Sequence, residues 1–392
     1  MKNKTTYILL SILLITLFLA SCNMDASSGI FRQLADSKEP LSIRYQQLLG
    51  FNTAVDRLYF RTETGIYRVD STRNSETMVT SKKDSIIQAA SYVAADKIIF
   101  YLTNNQADAE ENKIRTFLTT TPGTITTVTP TSTFITSNLS ILNLYANSTV
   151  MISGTDGSSN KLFELIKYYT GSFGTSVAQF DSTLVPAGYD FAGVIQQTTK
   201  EQEAVSTNPV LVSFVESPES GTGNFKHYLV TTEGALPTLI GSNSIRIASF
   251  FYHDGTTIYV LTTDGKLYHV TTAGVWTLMQ TSSLTYDTNA FAYPVDDGTN
   301  YHLVTKPLDK TAPLHVFSFA YGETTNATPT NVSTGYAKDL SLATIVSAQE
   351  IVANHLLVAT YLNGMYEITI VPSTAGSNDG SGTTTAAEKY TF

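Results

Sequence analysis

The sequence predicts an all-β protein assembled by repetition, and two observations carry that expectation. One is composition. Tyr and Phe number 22 and 19, Thr and Ser crowd the chain, and runs of Ala, Glu, Lys and Leu with helical periodicity are scarce. Side chains of this kind suit a pleated, half-buried surface better than a helix. With 42% hydrophobic and 15% charged residues, the chain is neither disordered nor a bundle of membrane helices. The other observation is a recurring pattern. Across residues 258–270 two short apolar runs flank Asp264-Gly265, which reads as a β-hairpin. The pattern returns at 58–69 around Gly65 and at 356–368 around Asn363-Gly364, with Tyr67, Tyr268 and Tyr366 just after each turn. Looser copies stand at 98–117, 150–165, 211–230 and 301–319. Seven hairpins result, and their starts lie about 50 residues apart, the period of repeat arrays.

The first 22 residues are a separate object. Lys2 and Lys4 precede a 13-residue apolar run, Tyr7 to Leu19, and small residues then lead to Cys22, the sole cysteine. A basic start, a short apolar run and a small-residue end mark a secretory signal peptide; the run falls short of the roughly 20 residues that span a bilayer. Leu19-Ala20-Ser21-Cys22 resembles the lipobox of bacterial lipoproteins at all four positions. The resemblance implies removal of residues 1–21, transfer of diacylglycerol to the Cys22 thiol, and acylation of the new amine. The body would then be anchored to a lipid bilayer of the bacterial cell envelope. Asn23 stands where an Asp resembles the inner-membrane retention signal of some bacteria, so the expectation favours the outer membrane. A lone cysteine excludes both a disulfide framework and a cysteine metal cluster. Without Lys2 and Lys4 the chain keeps 22 basic and 33 acidic residues, a net charge of −11, which repels nucleic acid.

Residues 22–28 are small and polar, a lipidated tether. Gly29-Ile-Phe-Arg-Gln-Leu34 then copies Gly274-Val-Trp-Thr-Leu-Met279, the segment that follows the fifth hairpin. Equivalent outer strands are expected at 76–80, 124–128, 175–180 and 235–240. A strand is also expected before each hairpin, at 42–50, 85–92, 134–141, 189–195, 244–251, 286–293 and 340–348. Each repeat then has four antiparallel strands. Only Pro372 and a Ser/Gly/Thr-rich tail, 372–392, follow the seventh hairpin, so residues 29–34 are expected to supply its outer strand beside 366–370 and close a ring without open edges. The rival for that place is 389–392. Four-stranded units at this period resemble a seven-bladed β-propeller across residues 29–371. The Trp-Asp and Gly-His pairs of WD40 repeats, the paired glycines of kelch repeats and the Asp-box of sialidases are missing, so the resemblance names no subfamily.

The chemistry-bearing residues form no motif. His227, His253, His269, His302, His315 and His355 are scattered without ligand spacing, and no Gly-x-Ser-x-Gly elbow or phosphate loop is present. Asp56, Asp96, Asn147, Asp254, Asp297 and Asn354 each precede a second strand and read as turn residues. No cofactor and no metal site are expected. Loop length gives the remaining hint. The hairpin turns of the second, fourth and sixth repeats expand at 104–112, 216–224 and 305–313, and loops on a rigid scaffold are where recognition concentrates. Asp108, Glu110, Glu111, Glu216 and Glu219 would make two of them acidic, and Lys306 and Lys310 would make the third partly basic. The expectation is a monomeric, non-catalytic module that binds a protein or envelope polymer. The alternatives are a propeller enzyme of the lactonase, phytase or lyase kind and a scaffold for outer-membrane protein assembly.

Overall fold

All seven hairpins form in the computed structural model. It describes residues 45–390 apart from 53–56, 63, 71–74, 81–85, 94–95, 105–112, 146–147, 170–171, 197–208, 217–222, 254–256, 289, 297–298, 310–311, 313, 321, 326–327, 333–344, 353–354, 361–364 and 372–382. The chain divides into two units, Met1–Ser42 and Ile43–Phe392. Cys22, the tether and residues 29–34 belong to the first and lie outside the described residues. The fifth hairpin shows the local chemistry. Gly265 N–H donates to Thr262 O at 3.1 Å, and Gly265 takes φ +81°, a conformation glycine adopts without strain. A Cβ there would lie 2.0 Å from Leu284 O, so the position is closed to any other residue.

Each hairpin is the centre of a four-stranded antiparallel sheet whose strands follow chain order. The first sheet is β1 (Tyr45–Asn52), β2 (Arg57–Thr62), β3 (Gly65–Asp70) and β4 (Ser75–Thr80). The second is β5 (Ile86–Val93), β6 (Ile98–Asn104), β7 (Lys113–Leu118) and β8 (Thr126–Val128). The third is β9 (Ser137–Tyr145), β10 (Thr149–Thr155), β11 (Lys161–Tyr169) and β12 (Ser172–Phe180). The fourth is β13 (Tyr189–Gln196), β14 (Val210–Glu216), β15 (Phe225–Val230) and β16 (Thr238–Asn243). The fifth is β17 (Ile247–His253), β18 (Thr257–Thr262), β19 (Lys266–Thr271) and β20 (Trp276–Thr281). The sixth is β21 (Ala292–Asp296), β22 (Asn300–Thr305), β23 (Leu314–Ala320) and β24 (Thr328–Val332). The seventh is β25 (Ile345–Val352), β26 (His355–Thr360), β27 (Met365–Val371) and β28 (Thr383–Tyr390). No helix occurs among the described residues.

Burial falls from the second strand outward. All six residues of β18 and the first five of β14 are buried, β19 is buried at every third position, and β20 buries Met279 alone. A strand buried on both faces needs a neighbouring sheet on each side. Hydrophobic clusters supply the contacts between sheets consecutive in the chain. Tyr59 meets Tyr92 between the first and second sheets, Phe100 meets Phe173 between the second and third, and Phe163 meets Phe214 between the third and fourth. Leu211 and Phe250 join the fourth to the fifth, Phe251 and Phe319 the fifth to the sixth, and Val304 and Val358 the sixth to the seventh. A further cluster joins Leu58 and Phe60 of the first sheet to Leu357 of the seventh. First strands also touch, β1 lying against both β5 and β25. Gln47 Nε2 donates to Ala90 O at 3.0 Å, and Arg61 donates to Ile87 O, tying the first sheet to β5.

Bulges recur at set places, as they do where a strand must bend. In the fourth strands the register skips one residue at Met78, Val177, Ile240 and Met279, and each of these side chains is buried. In β28 the skipped residue is Lys389.

The structure corrects three expectations. The place beside β27 is held by Thr383–Tyr390, with Thr383 opposite Val371 and Tyr390 opposite Met365, and not by residues 29–34. Closing the short connection 372–382 costs less chain entropy than recruiting a strand from the far end of the chain. The segment 372–392 is therefore not merely a tail, although Ala386-Ala387-Glu388-Lys389 carries little strand propensity. The fourth strand expected of the sixth repeat is β24, formed despite Pro329 because an outermost strand can spare an N–H. Lastly, β21 starts at Ala292 and not near 286, since Tyr286 serves in the preceding connection with its hydroxyl 3.0 Å from Thr305 Oγ1.

Candidate binding surface

The loops between second and third strands are built on a repeated threonine. Thr62, Thr103, Thr155, Thr262, Thr305 and Thr360 stand at or one residue before the end of the second strand of a sheet, and all but Thr155 are buried. In the first, fifth and sixth sheets the hydroxyl latches the hairpin base, whereas Thr155 Oγ1 bonds instead to Ser137 O of the first strand at 3.5 Å. Thr62 Oγ1 accepts from Gly65 N–H at 3.0 Å, Thr262 Oγ1 from Lys266 N–H at 3.0 Å, and Thr305 Oγ1 donates to His315 O at 2.9 Å. This latch was missed in the sequence, although its signal is plain: a Thr ends the apolar run in six of seven repeats.

The exception is Glu216 in the fourth sheet. It is exposed; its N–H donates to Asn224 O at 2.9 Å and its Oε2 accepts from Asn224 Nδ2 at 3.1 Å. Tyr189 pairs with it across the sheet and has its phenol pKa raised, first by burial and then by the Glu216 charge. Lys226 Nζ sits 5.5 Å from the Tyr189 ring centroid. The carboxylate thus stands in a small polar group at the loop base.

Lys306 departs from expectation. It is 9% exposed, and its Nζ donates to Asp309 O at 3.3 Å and Ala312 O at 3.2 Å. Burial lowers its pKa, which Asp309 partly offsets. The sixth-sheet loop is pinned to the preceding connection, with Lys306 N–H on Phe291 O at 3.0 Å and Leu308 N–H on Thr285 O at 2.8 Å. Lys306 is a loop fastener and not part of a displayed basic wall, because a buried ammonium must spend its donors on nearby carbonyls. Asp108, Glu110, Glu111, Glu219 and Lys310 lie outside the described residues. So do Asp56, Asn147, Asp254, Asp297 and Asn354, while Asp96 is an exposed turn residue before Lys97 at φ 55°.

Two serine–histidine pairs bridge neighbouring strands. Ser213 Oγ lies 2.8 Å from His227 Nδ1, and His227 Nε2 donates to Ile245 O at 3.0 Å, which leaves Nδ1 to accept the serine proton. His302 Nδ1 lies 2.9 Å from Ser318 Oγ. His227 and Ser213 are 1% and 8% exposed, so the pair is walled from any substrate. Among the described residues, no three His, Cys, Asp or Glu side chains gather as a metal site.

No family model matches the chain, and no curated protein sequence matches it. Solved structures share its general fold. Hsv2 of Kluyveromyces marxianus is 11% identical, covering 88% of this chain and 97% of that one, with a TM-score of 0.48. The Dos1 propeller is 12% identical over 84% of this chain and 81% of its own, at 0.45. A streptogramin B lyase is 14% identical over 82% and 93%, at 0.41. Likeness at this level says nothing of activity, ligand or partner.

Proposed function

We propose that this chain is a lipid-anchored lipoprotein of the bacterial cell envelope, favouring the outer membrane. Its body is a closed seven-bladed β-propeller that binds a protein or envelope polymer without turnover, on the face of the second-to-third-strand loops. Closure is supported by the cluster that packs Leu58 and Phe60 of the first sheet on Leu357 of the seventh. The observation that carries the binding face is Glu216, an exposed carboxylate where the six other repeats place a threonine, at the base of an expanded loop. Burial of the Ser213–His227 pair favours binding over catalysis.

The test replaces residues 105–112 and 217–223 with Asn-Gly turns, adds Glu216→Thr, and retains Thr305 and Lys306 because they hold the sixth loop together. Pull-down from envelope extract is expected to recover a partner with the intact protein and lose it with the trimmed one. Equal recovery would sink the binding face, and turnover that survives trimming would favour the enzyme reading. Mass spectrometry of the membrane-extracted protein should show acylated Cys22; a processed Cys22→Ala protein that stays with membranes unchanged would refute the anchor.

A further inference from the structure

The exposed apolar side chains of the fourth and fifth sheets share one register position. Leu239 stands opposite Tyr228 in β16, and Leu278 stands opposite Tyr268 in β20, each beside a buried bulge residue, Ile240 or Met279. The same position holds Thr77 in the first sheet, Ser176 in the third and Glu388 in the seventh. Of the five sheets whose described register reaches this position, only these two adjacent ones put leucine there, and both leucines are exposed. The turns leading into these strands add Leu236, 87% exposed, and Val275. The two turns and strands join into one surface. A Cβ on Gly274 would lie 3.5 Å from Leu239 O, Trp276 Nε1 donates to Ile240 O, and the Trp276 ring would meet a Cβ on Gly241 at 3.0 Å.

This rim is also free of charge. No Asp, Glu, Lys or Arg occurs from 234 to 245 or from 270 to 286, in a chain with 15% charged residues. Of the charges at its borders, Glu233 bonds Lys167 at 3.0 Å, Lys266 bonds Asp264, Arg246 lies 5.6 Å from the Phe225 ring centroid, and Asp287 is exposed. We infer that this rim, Leu236, Leu239, Val275, Trp276 and Leu278, rests on the surface of the lipid bilayer that carries the protein. The inference rests on the proposed lipid anchor. A body of net charge −11 is repelled by an anionic bilayer wherever its carboxylates lead, so an uncharged face is the one that can approach. Exposed leucines gain by entering the acyl boundary, and an indole with its N–H already satisfied suits the interface. Twenty-two residues separate Cys22 from Tyr45, a length of chain that would reach roughly 70 Å if fully extended.

Trp276 is the only tryptophan, so its emission reports this face alone. The mature acylated protein would be reconstituted into phosphatidylcholine vesicles whose acyl chains carry bromine near the headgroup. At least twofold quenching of Trp276 is expected, together with its loss in a Leu236→Asp/Leu278→Asp variant that still floats with vesicles and melts as the parent does. Three results would overturn the inference: no quenching in protein that floats, equal quenching in the variant, or cross-linking of two copies through β20 without quenching. Protein that fails to float at all would instead refute the anchor, and the docking with it.

Discussion

His227 is 1% exposed between Ser213 and the Ile245 carbonyl, and burial drives its pKa down from 6.5 to about 4 despite the bond to Ile245. The depressed value sets the sign of a pH effect. Below pH 6.5 the unfolded chain takes up a proton that the folded chain refuses, so stability falls from pH 6.5 down to about 4 and is level below it. At about 1.4 kcal/mol per pH unit the loss is roughly 3 kcal/mol from this residue. Urea unfolding between pH 7 and pH 4 should show that decline, and His227→Gln should flatten it; equal slopes in both proteins would remove His227 as the cause. The fold treats this position as a structural one. The equivalent cross-strand pair in the sixth sheet is His302 and Ser318, the same two residue types exchanged between strands. Arg68, Thr116, Glu164, His269 and Glu367 face the second strand at the same register in the other sheets, so each repeat carries a polar residue at this place. Such groups must find partners when buried. Glu164 finds them in Ser132 and Gln179.

Elements whose register depends on local chemistry were legible in the sequence. The seven hairpins were, because a turn glycine such as Gly265 and a doubly apolar second strand are written within a dozen residues. First strands were placed less well where a connection is itself apolar, as Tyr286 and Phe291 show before β21. The last outer strand was misassigned because sequence similarity favoured residues 29–34, whereas connection length favours Thr383–Tyr390. Of the loop charges, Lys306 could not be read as buried from its neighbours in sequence, since its partners are carbonyls that any residue carries. The occupancy of the last strand yields a prediction. Ending the chain at Val371 strips β28 from β27 and opens an edge of N–H and C=O groups. At about 1 kcal/mol net per ladder bond, several kcal/mol of stability should go, with concentration-dependent association through the bare edge. Thermal melting and light scattering of the truncated protein would check this. A truncated protein that melts with the parent and stays dispersed would show that β28 contributes nothing to the seventh sheet.

At the scale of the whole molecule, the question is whether the sheets form a ring or an open row. In an open row each sheet contacts only its chain neighbours, the end sheets fray, and stability is a sum of local contacts. In a ring the first and seventh sheets are neighbours like any other two. Alternation along β2 supports the ring, since Tyr59 turns to the second sheet while Leu58 and Phe60 turn to the seventh. Leu58 is fully buried there, as Leu211 is between the fourth and fifth sheets. Truncating a buried leucine to alanine costs about 2–5 kcal/mol through lost transfer energy and the cavity left behind. Leu58→Ala and Leu211→Ala should therefore destabilise the protein by similar amounts, each lowering the midpoint of one shared unfolding transition. If the row is open in solution, Leu58 loses the sheet that covers it, and its replacement should fall within the roughly 0.5 kcal/mol typical of surface positions. Chemical denaturation followed by the fluorescence of Trp276, in the fifth sheet and far along the chain from Leu58, measures both variants with one probe. A full-sized loss at Leu58, read from a tryptophan more than two hundred residues away, requires the two ends of the sheet array to unfold as one body.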